Sequence, residues 1–388
     1  MNTSVKSVFN WPFSNGDGVC VFLCGDVMTG RGVDQILPHP SKPNLYEPYV
    51  RDANDYVRLA EVKNGKLLKR PVDYAYPWGD ALTVLDKVKP HARIINLETS
   101  VTTSENKWPG KGIHYRMHPE NLPCVSSAKV DCCVLSNNHV LDWSHQGLEE
   151  TLDSLKNSSI RTAGAGRNAE DASAPAIIEL NQGLGRLLVY GYGDDSSGVP
   201  DSWAATALRS GVNYLHFGIS TKSANQISRR VAQDRKDRDI VIISVHWGGN
   251  WGFEISYAER EFAHHLIDSG VADVVHGHSS HHVKALEVYK GKLILYGCGD
   301  FINDYEGISG YEDYHDEYTL MYFPIINPSN GTLVQMHAVP MQIEHMRVNL
   351  ALDDAAEWLH STMKRECAKF GVQVDRENAT NILTFRWS

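Results

Sequence analysis

The chain has 388 residues and a formal net charge of −10. That length suits two domains or one large α/β domain with insertions, and the acidic balance argues against a general nucleic-acid binder or a basic membrane-surface helix. No stretch approaches the ~18 to 20 apolar residues that a membrane-spanning helix needs. Residues 1–13 lack the apolar core and small-residue cleavage site of a signal peptide, so the expectation is a soluble, cytoplasmic protein. The seven cysteines are odd in number, sit mostly in apolar runs and lack zinc-ribbon spacing. Buried free thiols in a reducing compartment fit that pattern.

After an N-terminal extension, residues 1–18, the run 19–24 is continuously apolar, the pattern of a strand buried on both faces. It delivers Gly25-Asp26-Val27-Met28 and then Arg31. Residues 37–80 break the rhythm with a crowd of prolines, tyrosines and Trp78. They read as an insertion that braces the domain or forms a lid over the site. A second apolar run, 92–95, delivers Asn96-Leu97-Glu98, and a third, 130–135, delivers Ser136-Asn137-Asn138-His139. Leu148, Thr151, Leu152 and Leu155 then fall on one helical stripe.

The runs 186–190 and 239–245 end at Asp194-Asp195 and at His246-Trp247-Gly248-Gly249. Ser256 and Glu259 have capping-box spacing and open a helix that turns Phe262, Leu266 and Ile267 inward. Residues 271–275 read as a short buried strand that stops at Gly277, amid four imidazoles, His276, His278, His281 and His282, within seven residues. Residues 292–296 end at Gly297-Cys298-Gly299-Asp300. Asp353 or Asp354 opens a last amphipathic helix with Gly371 placed to stop it, and residues 381–385 are expected to close a sheet edge.

Each apolar strand therefore stops at Asp, Glu, Asn or His. Ligands of open α/β sheets collect at the carboxyl ends of the strands. Imidazole, carboxylate and amide oxygen together form a ligand set for a divalent ion. A series of such endings points to a metal centre, whereas the histidine cluster taken alone reads equally as a pH-sensitive or surface feature.

With these residues assembled, the chain resembles the CapA (PGA_cap) family of poly-γ-glutamate capsule proteins, within the calcineurin-like metallophosphoesterase superfamily. The matching motifs are Gly25-Asp26-Val27-Met28, Asn96-Leu97-Glu98, Asn137-Asn138-His139 with Asp142-Trp143, His246-Trp247-Gly248, Gly277-His278 with His281, and Tyr296-Gly297-Cys298-Gly299-Asp300-Phe301. They occur in the family's order. The resemblance implies one α/β domain over residues 19–388, a two-sheet sandwich flanked by helices (αββα). It implies one or two divalent ions, drawn from Mn, Fe, Zn or Mg. Glu98 would bridge, Asn138, His246 and His278 would complete one site, and Asp26 with His281 would form the other. Met28 stands where the superfamily carries a histidine, and His278 and His281 are spaced more widely than its last two ligands, so the first site is the better founded.

In the superfamily pattern His139 matches the acid that protonates a leaving group. Arg31 would pair an anionic substrate or serve in an ion pair, and Arg116 and His118 invite the same reading. Asp300 and Asp304 would steady the cluster, Asp300 serving equally as a turn cap, while His276 and His282 would support the ligands from behind or simply pack. The substrate implied is a phosphoester or a glutamate polymer. Three functions follow: a metal-dependent hydrolase of the phosphoesterase type, a part in poly-γ-glutamate synthesis or handling, and a metal-assisted binding module for an anionic polymer.

Overall fold

The strand Val19–Val27 sets the frame, because both of its faces are buried. Cys20, Phe22 and Cys24 point into one apolar cluster and Val19, Val21 and Leu23 into another, the period-two alternation of a strand. The computed structural model describes residues 11, 12, 14, 16 and 18–388, so most of the N-terminal extension lies outside the described residues.

Val19–Val27 pairs in parallel with Ala92–Leu97, which continues in parallel to Cys132–Val134 and Arg161–Ala163. On its other side it meets the antiparallel strands Tyr318–Ile326 and Leu333–Ile343. This ten-stranded sheet faces a six-stranded one, whose central strands Arg186–Gly193, Ile240–His246, Val274–His278 and Lys292–Leu295 all run parallel. Val21, Leu23 and Ile94 of the first sheet share one cluster with Leu187, Val189, Ile240 and Ile242 of the second. Each sheet's outer face is covered by helices: Asp80–Val88 and Ser144–Asn157 on the first, Thr221–Asp234 and Tyr257–Asp268 on the second. The result is the αββα sandwich expected from the resemblance, and it brings the carboxyl ends of the parallel strands of both sheets to one region.

The expected helix start at Ser256 is present with both hydrogen bonds of its capping box. All seven cysteines are buried and free. No helix among the described residues is long and apolar enough to cross a membrane. The 37–80 insertion packs into the helical layer of the first sheet, with Tyr56, Val57, Ala60 and Trp78 buried in its core.

Two expectations are corrected. The strand read as stopping at Gly277 runs from Val274 to His278. Gly277 pairs with Val245 in parallel register, and a β-carbon there would sit 2.5 Å from the Trp247 indole nitrogen and 2.7 Å from the Leu295 carbonyl oxygen. The glycine is thus a place of close packing rather than a stop. Leu383–Arg386 is a strand, but it lies one position inside the sheet, because Gln373–Arg376 takes the edge.

Candidate metal centre

Asp26 lies near the end of the first strand, next to Gly25, whose missing side chain lets the Gly299 carbonyl approach. Its partner across the sheet is Asp300, at the head of the strand Asp300–Ile302. Asn96 donates to Asp26 Oδ1 at 2.7 Å and lies 3.4 Å from Glu98 Oε2. Asn137 in turn donates to Asn96 Oδ1 at 3.1 Å and to the Leu97 carbonyl at 2.8 Å, which fixes the turn that presents Asn138 and His139. Ser279, at φ 102°, turns the chain after His278 so that its amide donates to Asp26 Oδ2 at 3.1 Å.

Three atoms, from Asp26, His246 and His278, lie within 4.8 Å of one another, as do atoms of Asp26, His281 and Asp300. His246 Nδ1 lies 2.8 Å from His278 Nδ1, and its Nε2 lies 3.2 Å from Asn138 Oδ1. Glu98 Oε1 lies 4.0 Å from His246 Nε2 and 3.8 Å from His139 Nε2. Asp26, Glu98, Asn138, His246, His278 and His281 therefore converge, although they span most of the chain. Asp26 is common to both candidate sets, and Glu98, which the resemblance makes the bridging group, lies alongside.

The donors fit a divalent cation. Asp26, Glu98 and Asp300 are buried together. Burial, then the nearby Asp300, pushes the Asp26 carboxyl up to about 7, and burial and Asp26 hold Glu98 well above the usual range. Burial drives His246 and His278 well below the ordinary histidine range, so both are neutral donors. Crowded carboxylates beside neutral imidazoles are stabilised by a positive ion held between them. Cys24 and Cys298 are buried thiols, pushed up chiefly by burial, so the donor atoms are oxygen and nitrogen.

Supporting contacts orient these groups. Ser244 Oγ reaches His278 Nε2 at 2.9 Å and His276 Nδ1 at 3.1 Å, and His276 Nε2 meets the Cys24 carbonyl at 2.9 Å. His281 Nδ1 lies 2.8 Å from Asp300 Oδ1, whose other oxygen accepts from Asn303 at 2.9 Å. His282 packs against Phe253 and Tyr314. His139 Nδ1 lies 2.6 Å from Asp142 Oδ2, while Lys111 donates to Asp142 Oδ1 at 2.5 Å. Burial outweighs Asp142 and lowers His139 to about 4. An ionised carboxylate only accepts, so the Nδ1 proton faces Asp142 and the Nε2 lone pair faces Glu98.

Arg31 is buried with its guanidinium engaged. It pairs with both oxygens of Asp304 and with Glu47 of the insertion, donates to Tyr56 OH at 3.1 Å and stacks 4.3 Å from the Tyr115 ring. Arg116 donates to the carbonyls of Ser104 and Lys42, and His118 accepts from the Glu120 amide. Arg31→Met leaves Asp304 and Glu47 buried without a counter-charge. Its expected effect on urea unfolding is a loss of ~3 to 5 kcal/mol, the scale for breaking a buried ion pair from one side. Unchanged unfolding would show that the network does not hold the insertion to the sheet.

Sequence reasoning did not assign Asp300 to the ligand set. Asp300 completes the second candidate set with Asp26 and His281, where Met28 offers no ligand suited to a hard ion. Its signals were the strand-end Gly297-Cys298-Gly299-Asp300 and the matching family motif, read as steadying the cluster or capping a turn rather than as a ligand.

The family model described as "Bacterial capsule synthesis protein PGA_cap" matches residues 20–305. The chain is similar to the "Probable polyglutamine synthesis accessory protein" of Mycobacterium tuberculosis strain H37Rv, 44% identical over 360 residues, covering 93% of this chain and 94% of that protein. It is also similar to the "PGA biosynthesis protein CapA" of Bacillus subtilis, 26% identical over 263 residues and 66% of each chain. The "Capsule biosynthesis protein CapA" of Bacillus anthracis is 26% identical over 322 residues, 83% of this chain and 67% of that one. With the match covering the whole run of strand-end motifs, the chain belongs to the PGA_cap family of bacterial capsule synthesis proteins.

Proposed function

We propose that this protein is a metal-dependent hydrolase that acts on a glutamate polymer in poly-γ-glutamate synthesis or handling. The observation that carries the reading is the placement of the His139–Asp142 pair beside two ligand sets that share Asp26. The names of its relatives, which concern polyglutamine, PGA and capsule biosynthesis, supply the polymer.

Asp26, His246, His278 and Asn138 would hold one ion, and Asp26, His281 and Asp300 a second, with Glu98 alongside both. Mn, Fe, Zn and Mg all suit such oxygen and nitrogen donors. A bound divalent ion lowers the pKa of water and stabilises negative charge on a carbonyl or phosphoryl oxygen.

The chain's own residues then handle the protons. Hydrolysis of an amide requires one proton to leave the attacking water and one to reach the departing nitrogen. His139 is neutral at pH 7, so Nε2 can take a proton and deliver it to the leaving group. Asp142 keeps the ring in the tautomer that leaves Nε2 open and stabilises the transient imidazolium, while Lys111 holds the other Asp142 oxygen.

The test is an assay of γ-linked glutamate oligomers and, separately, of an aryl phosphate and a phosphodiester, with Mn, Zn and Mg each supplied. Metal-dependent cleavage of the oligomers is expected. Cleavage of the phosphoesters alone would reassign the substrate to a phosphoester. Metal-dependent binding of the polymer without cleavage of any substrate would replace the hydrolase with a binding module.

A further inference from the structure

Beside the metal centre lies a cavity of about 640 Å³ whose wall is the glycine-rich loop after His246. The loop is tied to the centre at several points. Ser197 Oγ donates to the His246 carbonyl at 2.7 Å, Gly248 N donates to Ser196 Oγ at 2.9 Å, and Ser279 Oγ donates to the Gly248 carbonyl at 3.3 Å. Trp251 lines the cavity and stands 5.5 Å, ring to ring, from His281. A larger cavity of about 750 Å³ lies along the Arg161–Ala163 strand; neither cavity is lined by a candidate ligand, but the smaller one is walled by the loop that follows His246.

The unusual feature of the first cavity is Lys284. It is only 6% exposed. Its chain runs against Gly297, where a β-carbon would meet Lys284 Cδ at 2.8 Å. The other buried cations, Arg31 and Arg116, have their guanidinium groups hydrogen-bonded. The Lys284 ammonium has no hydrogen bond or ion pair among the described residues, although Glu259 and Glu254 face it from a distance. Burial leads the forces on it and lowers its pKa. An ammonium that lines a cavity with no protein partner of its own is placed to meet an anion there.

The rest of the lining is not cationic. Asp194, Asp195, Glu254 and Glu259 also border the cavity. Glu259 is committed to the amide of Ser256 at 2.7 Å, and Asp194 accepts from Ser196 Oγ at 2.6 Å. A ligand carrying only negative charge would meet one cation and four carboxylates. A ligand that presents one carboxylate and one ammonium matches the lining, with its carbon skeleton against Trp251 and Phe217. An α-amino acid end group has that chemistry.

We propose that this cavity is the subsite for the free amino-terminal residue of a γ-glutamyl chain, with its α-carboxylate on Lys284 and its α-ammonium among Asp194, Asp195 and Glu254. The assignment rests on the reading of the protein as one that acts on a glutamate polymer. It adds that recognition is of the polymer's amino end rather than of its interior.

The experiment measures binding rather than turnover, so it does not require the hydrolase reading. Metal-loaded protein is titrated by calorimetry with a γ-linked glutamate trimer bearing a free amino end and with its N-acetylated counterpart. Wild type is expected to bind the free trimer at least ~10-fold more tightly than the acetylated one, a difference of ~1.4 kcal/mol. Lys284→Met, which keeps most of the side chain's length, is expected to weaken the free trimer by ~10-fold or more, with Lys284→Arg recovering much of the loss. Metal content and thermal melting of each variant confirm an intact fold. Equal affinity for the two trimers, or a Lys284→Met variant of unchanged metal content that binds like wild type, would overturn the subsite, as would a wild type that binds neither trimer. If binding follows the expected pattern while no oligomer is cleaved, the subsite stands and the hydrolase reading falls.

Discussion

Asp26→Ala is expected to release bound divalent metal and to abolish metal-dependent hydrolysis. Asp26 is the only residue common to both ligand sets, so its loss damages both at once. Removing a group that merely supports a ligand already costs ~10- to 100-fold in metal affinity or activity, and loss of the shared carboxylate should exceed that. Metal per chain, determined by mass spectrometry after dialysis, gives the primary reading, and circular dichroism monitors the fold. His246→Ala, which removes a donor from one set, is expected to leave part of the metal bound. An Asp26→Ala protein with wild-type metal content and turnover would remove Asp26 from the centre.

His139→Ala is expected to behave in the opposite way, with metal retained and turnover slowed by ~10²- to 10⁴-fold, the scale for a positioned proton-transfer group. The separation is expected because His139 appears in neither metal-ligand set. Its contacts run to Asp142 and Lys111 on one side and towards Glu98 on the other. The deficit should be largest for a substrate with a poor leaving group, since a good one departs without protonation. Asp142→Asn should give a smaller loss of the same kind, because the amide no longer dictates which ring nitrogen carries the proton. A His139→Ala enzyme that matches wild type on a poor leaving group would assign the proton transfer elsewhere.

The sandwich and much of the centre were legible because the parallel strands are buried on both faces. Such burial forces continuous apolar runs, and the polar residues that interrupt them stand out at the strand ends: Asp26, Glu98, Asn138, His246. Features set by contacts remote in sequence were not legible. Asp300 comes beside Asp26 only through the pairing of two strands, so its strand-end motif suggested a supporting role or a turn cap but not a place among the candidate ligands. Arg31 and Asp304 are 273 positions apart, so the arginine's engagement could not be read from its neighbours. Gly277 carries the usual sign of a turn, yet serves the close packing of Trp247 against the sheet. Lys284 follows a histidine run and precedes an apolar strand, and the cavity that gives it meaning is built from the distant 194–196 and 248–254 segments.

On the proposed reading, Asp26 joins the two candidate ligand sets into one metal centre. Anomalous scattering from a zinc-loaded crystal, recorded on both sides of the zinc edge, tests it most directly. The predicted result is a peak at Asp26 with Zn–O distances of ~2.0 to 2.2 Å and Zn–N distances of ~2.0 to 2.1 Å to His246 and His278, to His281, or to both groups where two ions are bound. A map with no peak at Asp26, or with zinc bound only at surface histidines, would contradict it.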